Sequence, residues 1–257
     1  MREFFVNENP IFLFKQFGLI HNIFNIAVLL GIILIYINRN KISKIPRKKS
    51  MIFLKISAVI LLINMLIYTF GNMYYGCFDY KEMLPLHLCF IANYMFMYGI
   101  LFEKENILKL TILICFIGPI PAILWPNLVS TIDNFNFWQY VISHHFFLLL
   151  SLFSYYALNY KVRRVDYIKT VILLNTMVLA IAPFNKLFNM NYIFTNYIAP
   201  NVLEIYPWLK PINPVILIEI VGFVISLIIY NLLIVRRNKE LENKKWYNER
   251  YKNNTKE

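Results

Sequence analysis

Ten polar or ionisable residues sit inside otherwise apolar stretches of this sequence: Lys55, Asn64, His87, Cys89, Asn93, His144, His145, Asn175, Asn185 and Glu219. In hydrocarbon such side chains are costly, and each is by default a functional hypothesis. A buried thiol is inert unless a histidine or a cation lies close enough to favour the thiolate, so Cys89 has chemistry only with a partner such as His144. A glutamate at the depth of Glu219 has to be protonated, paired or hydrated. Together with His144 and the asparagines it could bind a solute or relay protons.

Depth narrows the set. At about 1.5 Å of rise per residue, Cys89 lies roughly 6 Å, His144 roughly 9 Å and Glu219 roughly 11 Å from the expected outer ends of their helices. Asn185 lies about 5 Å from its own outer end. Four segments therefore offer polar groups at a similar level, with Asn93 and Asn175 deeper, as a floor. Each has a plainer reading. A lone Cys is usually a small hydrophobe, and intramembrane Asn residues such as Asn64 and Asn93 commonly just bridge helices. Lys55 is close enough to a helix end to snorkel, and His21 falls at an interfacial position. His144 and His145 point about 100° apart on a helix, so only one of them faces a given site. His87 and Cys89, two apart, face different sides.

The elements that hold these residues follow from composition. The 257 residues are 59% hydrophobic, 17% aromatic and only 16% charged, against roughly 45–50% apolar and about 25% charged in a soluble domain. Disorder, coiled coil and collagen are excluded. The three cysteines, Cys77, Cys89 and Cys115, do not make a disulfide framework. A membrane helix needs about 20 mostly apolar residues. Seven stretches qualify: Gly18–Asn38, Met51–Phe70, Pro85–Phe102, Leu108–Trp125, Trp138–Leu158, Ile168–Phe188 and Ile212–Val235. The third and fourth are short. Gly118-Pro119-Ile120-Pro121 breaks the fourth, and Pro183 bends the end of the sixth. The expectation is an all-α polytopic bundle, one integral membrane domain over 1–257, with an outer segment 1–17, spans over 18–235 and a basic tail 236–257.

Charge sets the expected orientation. The net charge is +12, from 26 Lys and Arg against 14 Asp and Glu. The first loop holds Arg39, Lys41, Lys44, Arg47, Lys48 and Lys49. The third holds Lys104 and Lys109, and the fifth holds Lys161, Arg163, Arg164 and Lys169. With the tail, one side collects about 20 of the basic residues, so it is cytoplasmic by the positive-inside rule. The N-terminus is then outside and the C-terminus inside, as an odd span number requires. Trp125, Trp138 and Trp208 fall at expected outer boundaries, where indoles favour the headgroup layer. The basic surplus belongs to loops facing anionic lipid rather than to a nucleic-acid surface. A cleavable signal sequence, an internal repeat, a phosphate loop and a metal-spaced Cys/His cluster are all missing from the sequence pattern, so neither cofactor nor metal is expected. The expected location is the cell membrane, multi-pass.

Leu84-Pro85-Leu86-His87-Leu88-Cys89 at the start of the third span resembles the YwaF-type integral membrane proteins of bacteria. Further elements match in order. They are Trp125-Pro126-Asn127-Leu128, the Ser143-His144 step, Asn185 with Asn191-Tyr192, Pro207-Trp208, and the intramembrane acid Glu219. The family pattern carries a small residue after the Ser-His step, where this chain has His145. That family is in turn similar to the eukaryotic transmembrane protein 164 family, described as Cys-dependent acyltransferases that move fatty acyl chains between phospholipids. The resemblance implies that Cys89 is the nucleophile and His144 its partner. Acyl transfer through a thioester needs a thiolate, a base and donors for a tetrahedral oxyanion. Asn185 or His87 could supply a donor, and Glu219 could orient the histidine.

Three functions are therefore open. The first is a lipid-modifying enzyme acting on membrane phospholipids from the outer leaflet. The second is a small-solute carrier or channel using Glu219, His144 and the asparagines, which the broken fourth span would suit. The third is a non-enzymatic assembly factor whose basic loops bind anionic lipid.

Overall fold

The computed structural model describes residues 2–6 and 11–242. The remaining positions, including Lys244, Lys245, Arg250, Lys252 and Lys256 of the expected tail, lie outside them. Among the described residues the chain is all-helical, with a single isolated β-bridge between Leu13 and Ser130. The elements are α1 (Leu19–Ile37), α2 (Arg47–Tyr74), α3 (Leu88–Leu101), α4 (Glu105–Ile117) and the short α5 (Pro119–Leu124). Next comes α6, which runs from Phe135–Val141 through a π-helical turn, Ile142–Phe146, into Phe147–Ala157. It is followed by α7 (Arg164–Phe188), α8 (Pro200–Ile205) and α9 (Pro214–Ile229), the last extended by a π-helical stretch, Tyr230–Val235.

Local chemistry sets the ends. Pro119 and Pro214 occupy first-turn positions, where a missing N–H costs nothing. The Asn134 and Asn213 side chains accept the Asn136 and Val215 N–H groups at 2.8 and 2.9 Å, capping α6 and α9. Helix α7 opens with Arg163 N–H donating to Asp166 at 2.8 Å and closes on a left-handed Asn189 (φ 54°). The expected break of the fourth span is present: α4 stops at Ile117 and α5 starts at Pro119.

Five helical stretches are long and apolar enough to cross a membrane: Leu19–Ile37, Arg47–Tyr74, Glu105–Leu124, Arg164–Phe188 and Pro214–Glu242. The other two expected spans differ for identifiable reasons. Helix α3 begins three residues later than expected and has only 14 residues, because the Pro85 region is a turn. Helix α6 is long, but Ser143, His144 and His145 dilute its apolar character.

Packing centres on α2, α3, α4 and the second half of α6. Leu54, Ala58, Leu61 and Met65 recur at helical spacing on α2 and are essentially inaccessible, as are Ala92, Phe96 and Ile100 on α3. Phe96 meets Phe147 of α6 edge-on, with ring centroids 5.6 Å apart. Helix α4 is the hub, touching α3, α6, α7 and α9. At one end of the bundle, charged residues tie segments together: Lys55 to Glu103 (2.7 Å), Arg39 to Glu240 (2.9 Å) and Lys161 to Glu242 (2.6 Å). Lys55, expected to snorkel, therefore ends in an ion pair. His21, expected at an interfacial position, is buried inside the protein. Its Nδ1 accepts the Phe17 N–H (2.9 Å), so its Nε2–H donates to the Ile123 carbonyl (2.8 Å).

Candidate functional site

At the opposite end, the late start of α3 and the break between α4 and α5 leave room that neighbouring helices do not fill. The result is a cavity of about 1090 Å³, lined mostly by apolar atoms and bounded by α3, the α4–α5 break, α6, α7, the 189–202 segment and α9. Of the residues singled out in the sequence, Cys89, His87, His144, Asn175 and Glu219 line it, while Asn185 and His145 do not.

Cys89 is the second residue of α3, and His87 is its N-cap. The first intrahelical bond runs from Ile91 N–H to the His87 carbonyl at 3.2 Å. The Cys89 and Phe90 N–H groups therefore have no helical acceptor, and both lie against the Cys89 sulfur. A helix N-terminus is a site where negative charge is favoured. Gly118, at the break, packs beside this helix start: a Cβ there would sit 3.5 Å from the Leu88 side chain and 3.6 Å from the Cys89 nitrogen, ordinary contact distances.

His144 sits in the π-helical turn of α6, stacked on Tyr140 with centroids 4.1 Å apart. Its Nδ1 lies 2.9 Å from the Tyr140 carbonyl and 3.1 Å from Ser143 Oγ. A carbonyl only accepts, so Nδ1 carries the proton and Nε2 is left with a lone pair. Nε2 has no partner among the described residues, and no hydrogen bond joins His144 to Cys89 or to Glu219. The orienting role expected of Glu219 is thus filled by the Tyr140 backbone. His87 holds the complementary state. Its Nδ1 accepts the Ile193 N–H at 3.4 Å, which places the proton on Nε2. One imidazole offers a lone pair and the other an N–H.

His145, one residue on, is buried against Phe24 and Tyr140, with neither ring nitrogen hydrogen-bonded. Asn185 is fully buried. Its amide donates to the Tyr192 carbonyl (2.6 Å) and to Thr195 Oγ1 (2.7 Å), and its oxygen accepts the Tyr192 N–H (3.0 Å). Both amide hydrogens are spent, so it has none left for an oxyanion. Asn175 faces the cavity while donating to the Val171 carbonyl of its own helix at 2.9 Å. Glu219 is half-buried and lines the cavity with no hydrogen bond or ion pair among the described residues.

With this geometry in view, the comparison with protein-family models is decisive. The TMEM164 family model matches residues 14–230. The chain belongs to the TMEM164 family. Neither the curated proteins nor the solved structures contain a match. As a TMEM164-family membrane protein, the chain has several apolar helices of spanning length.

Two residues of the site, Tyr140 and Tyr192, are not anticipated from the sequence. Asn93, expected as a floor of the site or as a bridge between helices, is a bridge. Its amide donates to the Cys89 carbonyl (2.8 Å) and to the Ser143 carbonyl (2.9 Å), locking the cysteine's helix to the histidine's π-turn. Tyr140 carries the His144 ring and also donates its hydroxyl to the Ala122 carbonyl. Tyr192 donates to the Tyr80 carbonyl and accepts the Leu84 N–H at 3.0 Å, holding the turn that delivers His87. The segment beside it is strained: Ile193 and Phe194, both on the cavity, have φ near 56° and 58°. A β-branched residue in that region persists only when its surroundings over-determine it. The π-turn had one sequence signal, the Ser-His-His run inside an apolar span, and π-turns concentrate at functional sites.

Proposed function

We propose that this chain is a lipid-modifying membrane enzyme that transfers fatty acyl groups through a Cys89 thioester. One observation carries the reading: Cys89, at a helix start whose first backbone N–H groups have no helical acceptor, and His144, with a free Nε2, line the same large apolar cavity. In this scheme His144 Nε2 takes the thiol proton, and the sulfur bonds to the carbonyl carbon of a lipid ester. The backbone N–H groups at the start of α3 and the His87 Nε2–H are the donors for the tetrahedral oxyanion. The intermediate collapses by breaking the ester C–O bond, and His144 returns the proton to the leaving alkoxide. A lysolipid hydroxyl then reverses the sequence and takes the acyl group.

The same reading has all seven apolar segments crossing a cell membrane, with the N-terminus and the Cys89 cavity on the outer side. It is supported by the basic loops, whose residues Arg39 and Lys161 pair with acids beyond α9 at the other end. Those loops face anionic headgroups.

Acyl exchange between a phospholipid and an isotopically labelled lysolipid, followed by mass spectrometry in nanodiscs, tests the mechanism. Cys89→Ala abolishes exchange, and His144→Ala lowers it by about 10²–10⁴-fold, the usual contribution of a general base. Full exchange in both variants would sink the proposal. The unpartnered Glu219 favours a second reading, a proton-coupled carrier. Under that reading, substrate-dependent proton uptake persists in Cys89→Ala and disappears in Glu219→Gln.

A further inference from the structure

The cavity does not end at the chamber around Cys89. It continues down a seam between α7 and α9, from Val178 and Leu174 to Tyr167 on one side and from Leu217 through Gly222 to Ser226 on the other. Each of these helices turns one helical face to the seam. Both pack on α4 yet make almost no backbone-level contact with one another. The seam is pinned at its far end, where Tyr167 and Ser226 hydroxyls hydrogen-bond at 3.1 Å and Tyr167 packs on Tyr230 with centroids 4.6 Å apart.

Two helices of a bundle normally close such a gap with small or interlocking side chains. Here Gly222 widens it instead: a Cβ at that position would meet only Ile117, at 3.6 Å. From Val178 to Tyr167 is eleven residues along a helix, roughly 16 Å at 1.5 Å per residue. One leaflet of a bilayer is about 15 Å of hydrocarbon, half of the roughly 30 Å core. The slot is lined mainly by apolar side chains, with Asn175 and Glu219 as polar interruptions near the chamber, is about as long as one leaflet is thick, and is continuous with the chamber that Cys89 and His144 line.

We propose that the α7–α9 seam binds one acyl chain of a membrane lipid, taken sideways from the bilayer. The chain lies along the seam with its methyl end at the Tyr167–Ser226 hydrogen bond and its ester end in the chamber. This rests on the acyl-transfer reading for its purpose, but binding does not require the reaction.

The test uses the full-length Cys89→Ala protein in nanodiscs containing phosphatidylglycerol with a photoactivatable diazirine near the methyl end of one acyl chain. After illumination, labelled positions are mapped by peptide mass spectrometry. Label concentrates at the pinned end of the seam, at Thr170, Val171, Gly222 and Ser226, several-fold above Ile172, Leu179 and Ile220, exposed residues of the same helices. Label spread evenly over both sets is ordinary boundary lipid and overturns the proposal. Gly222→Leu, whose Cβ fits at ordinary contact distance from Ile117, lowers seam labelling several-fold and leaves the exposed positions unchanged. Unchanged seam labelling in that variant also overturns it. If seam labelling is strong but Cys89→Ala retains acyl exchange, the chemistry falls while the binding groove stands.

Discussion

Two halves of the bundle are built to different rules. In Arg47–Tyr74 and Glu105–Leu124, 44% and 56% of the most apolar stretch is buried inside the protein. In Arg164–Phe188 and Pro214–Glu242 the figures are 11% and 6%. All four are long apolar helices, yet the first two fill a core and the last two wall a cavity. In hydrocarbon no hydrophobic force drives helices together, so tight packing comes from dispersion contacts and hydrogen bonds. Helices α2 and α4 have those contacts. Helices α7 and α9 share one hydrogen-bonded pin at an end and leave the space between them open. The packed half fixes where Cys89 and His144 sit, and the open half borders the cavity they line.

That contrast can be broken by mutation. Leu61→Ala, in the packed half at 0% exposure, loses about 2–5 kcal/mol through a cavity. Ile220→Ala, on the exposed side of α9, changes stability by no more than about 0.5 kcal/mol. Unfolding in a denaturing detergent series reads both, and equal losses would erase the distinction.

Next in size is the joint within the packed part that ties α3 to α6. Asn93→Leu strips the donor from the Ser143 carbonyl and costs about 1–3 kcal/mol. It also lowers acyl exchange, because the Cys89 helix and the His144 turn lose their common tie. Normal exchange in a destabilised Asn93→Leu protein would make the residue purely structural.

His145 gives an effect of opposite sign. Its two buried ring nitrogens have no partners, so His145→Phe removes a desolvation cost and stabilises by about 1 kcal/mol. The same unfolding series measures it, alongside unaltered exchange. Loss of exchange in that variant would bring His145 into the site.

The smallest effect is local and pH-dependent. Burial alone would raise the Asp133 carboxyl, but the Ile11 and Phe12 N–H groups (2.8 and 3.3 Å) outweigh it and hold its pKa below the ordinary 3.8. A depressed carboxylate contributes stability above its unfolded pKa and loses it as pH falls through the folded one. Hydrogen exchange at residues 11–14 therefore quickens on acidification below about pH 4, and Asp133→Asn shows fast exchange at neutral pH. Equal protection in variant and parent would remove Asp133 as the anchor.

Much of the architecture was legible in the chain. Apolar runs located the long helices, Gly118-Pro119 located the break, and costly intramembrane residues pointed to Cys89, His144 and Glu219. The roles of their neighbours were not legible. Asn185 was expected among the site's donors, but a carboxamide binds whatever backbone lies nearest. Here that is its own loop at Tyr192. His144 and His145 are neighbours in one π-turn, which presents His144 to the cavity and His145 to Phe24 and Tyr140.

The sequence by itself determined where polar groups enter hydrocarbon, because hydration cost depends on residue type and on the apolar length around it. Only tertiary structure decided that α3 starts late, that Asn93 ties it to α6, and that α7 and α9 stay apart. Those outcomes depend on how side chains from distant segments fill or fail to fill shared space, which no local pattern encodes.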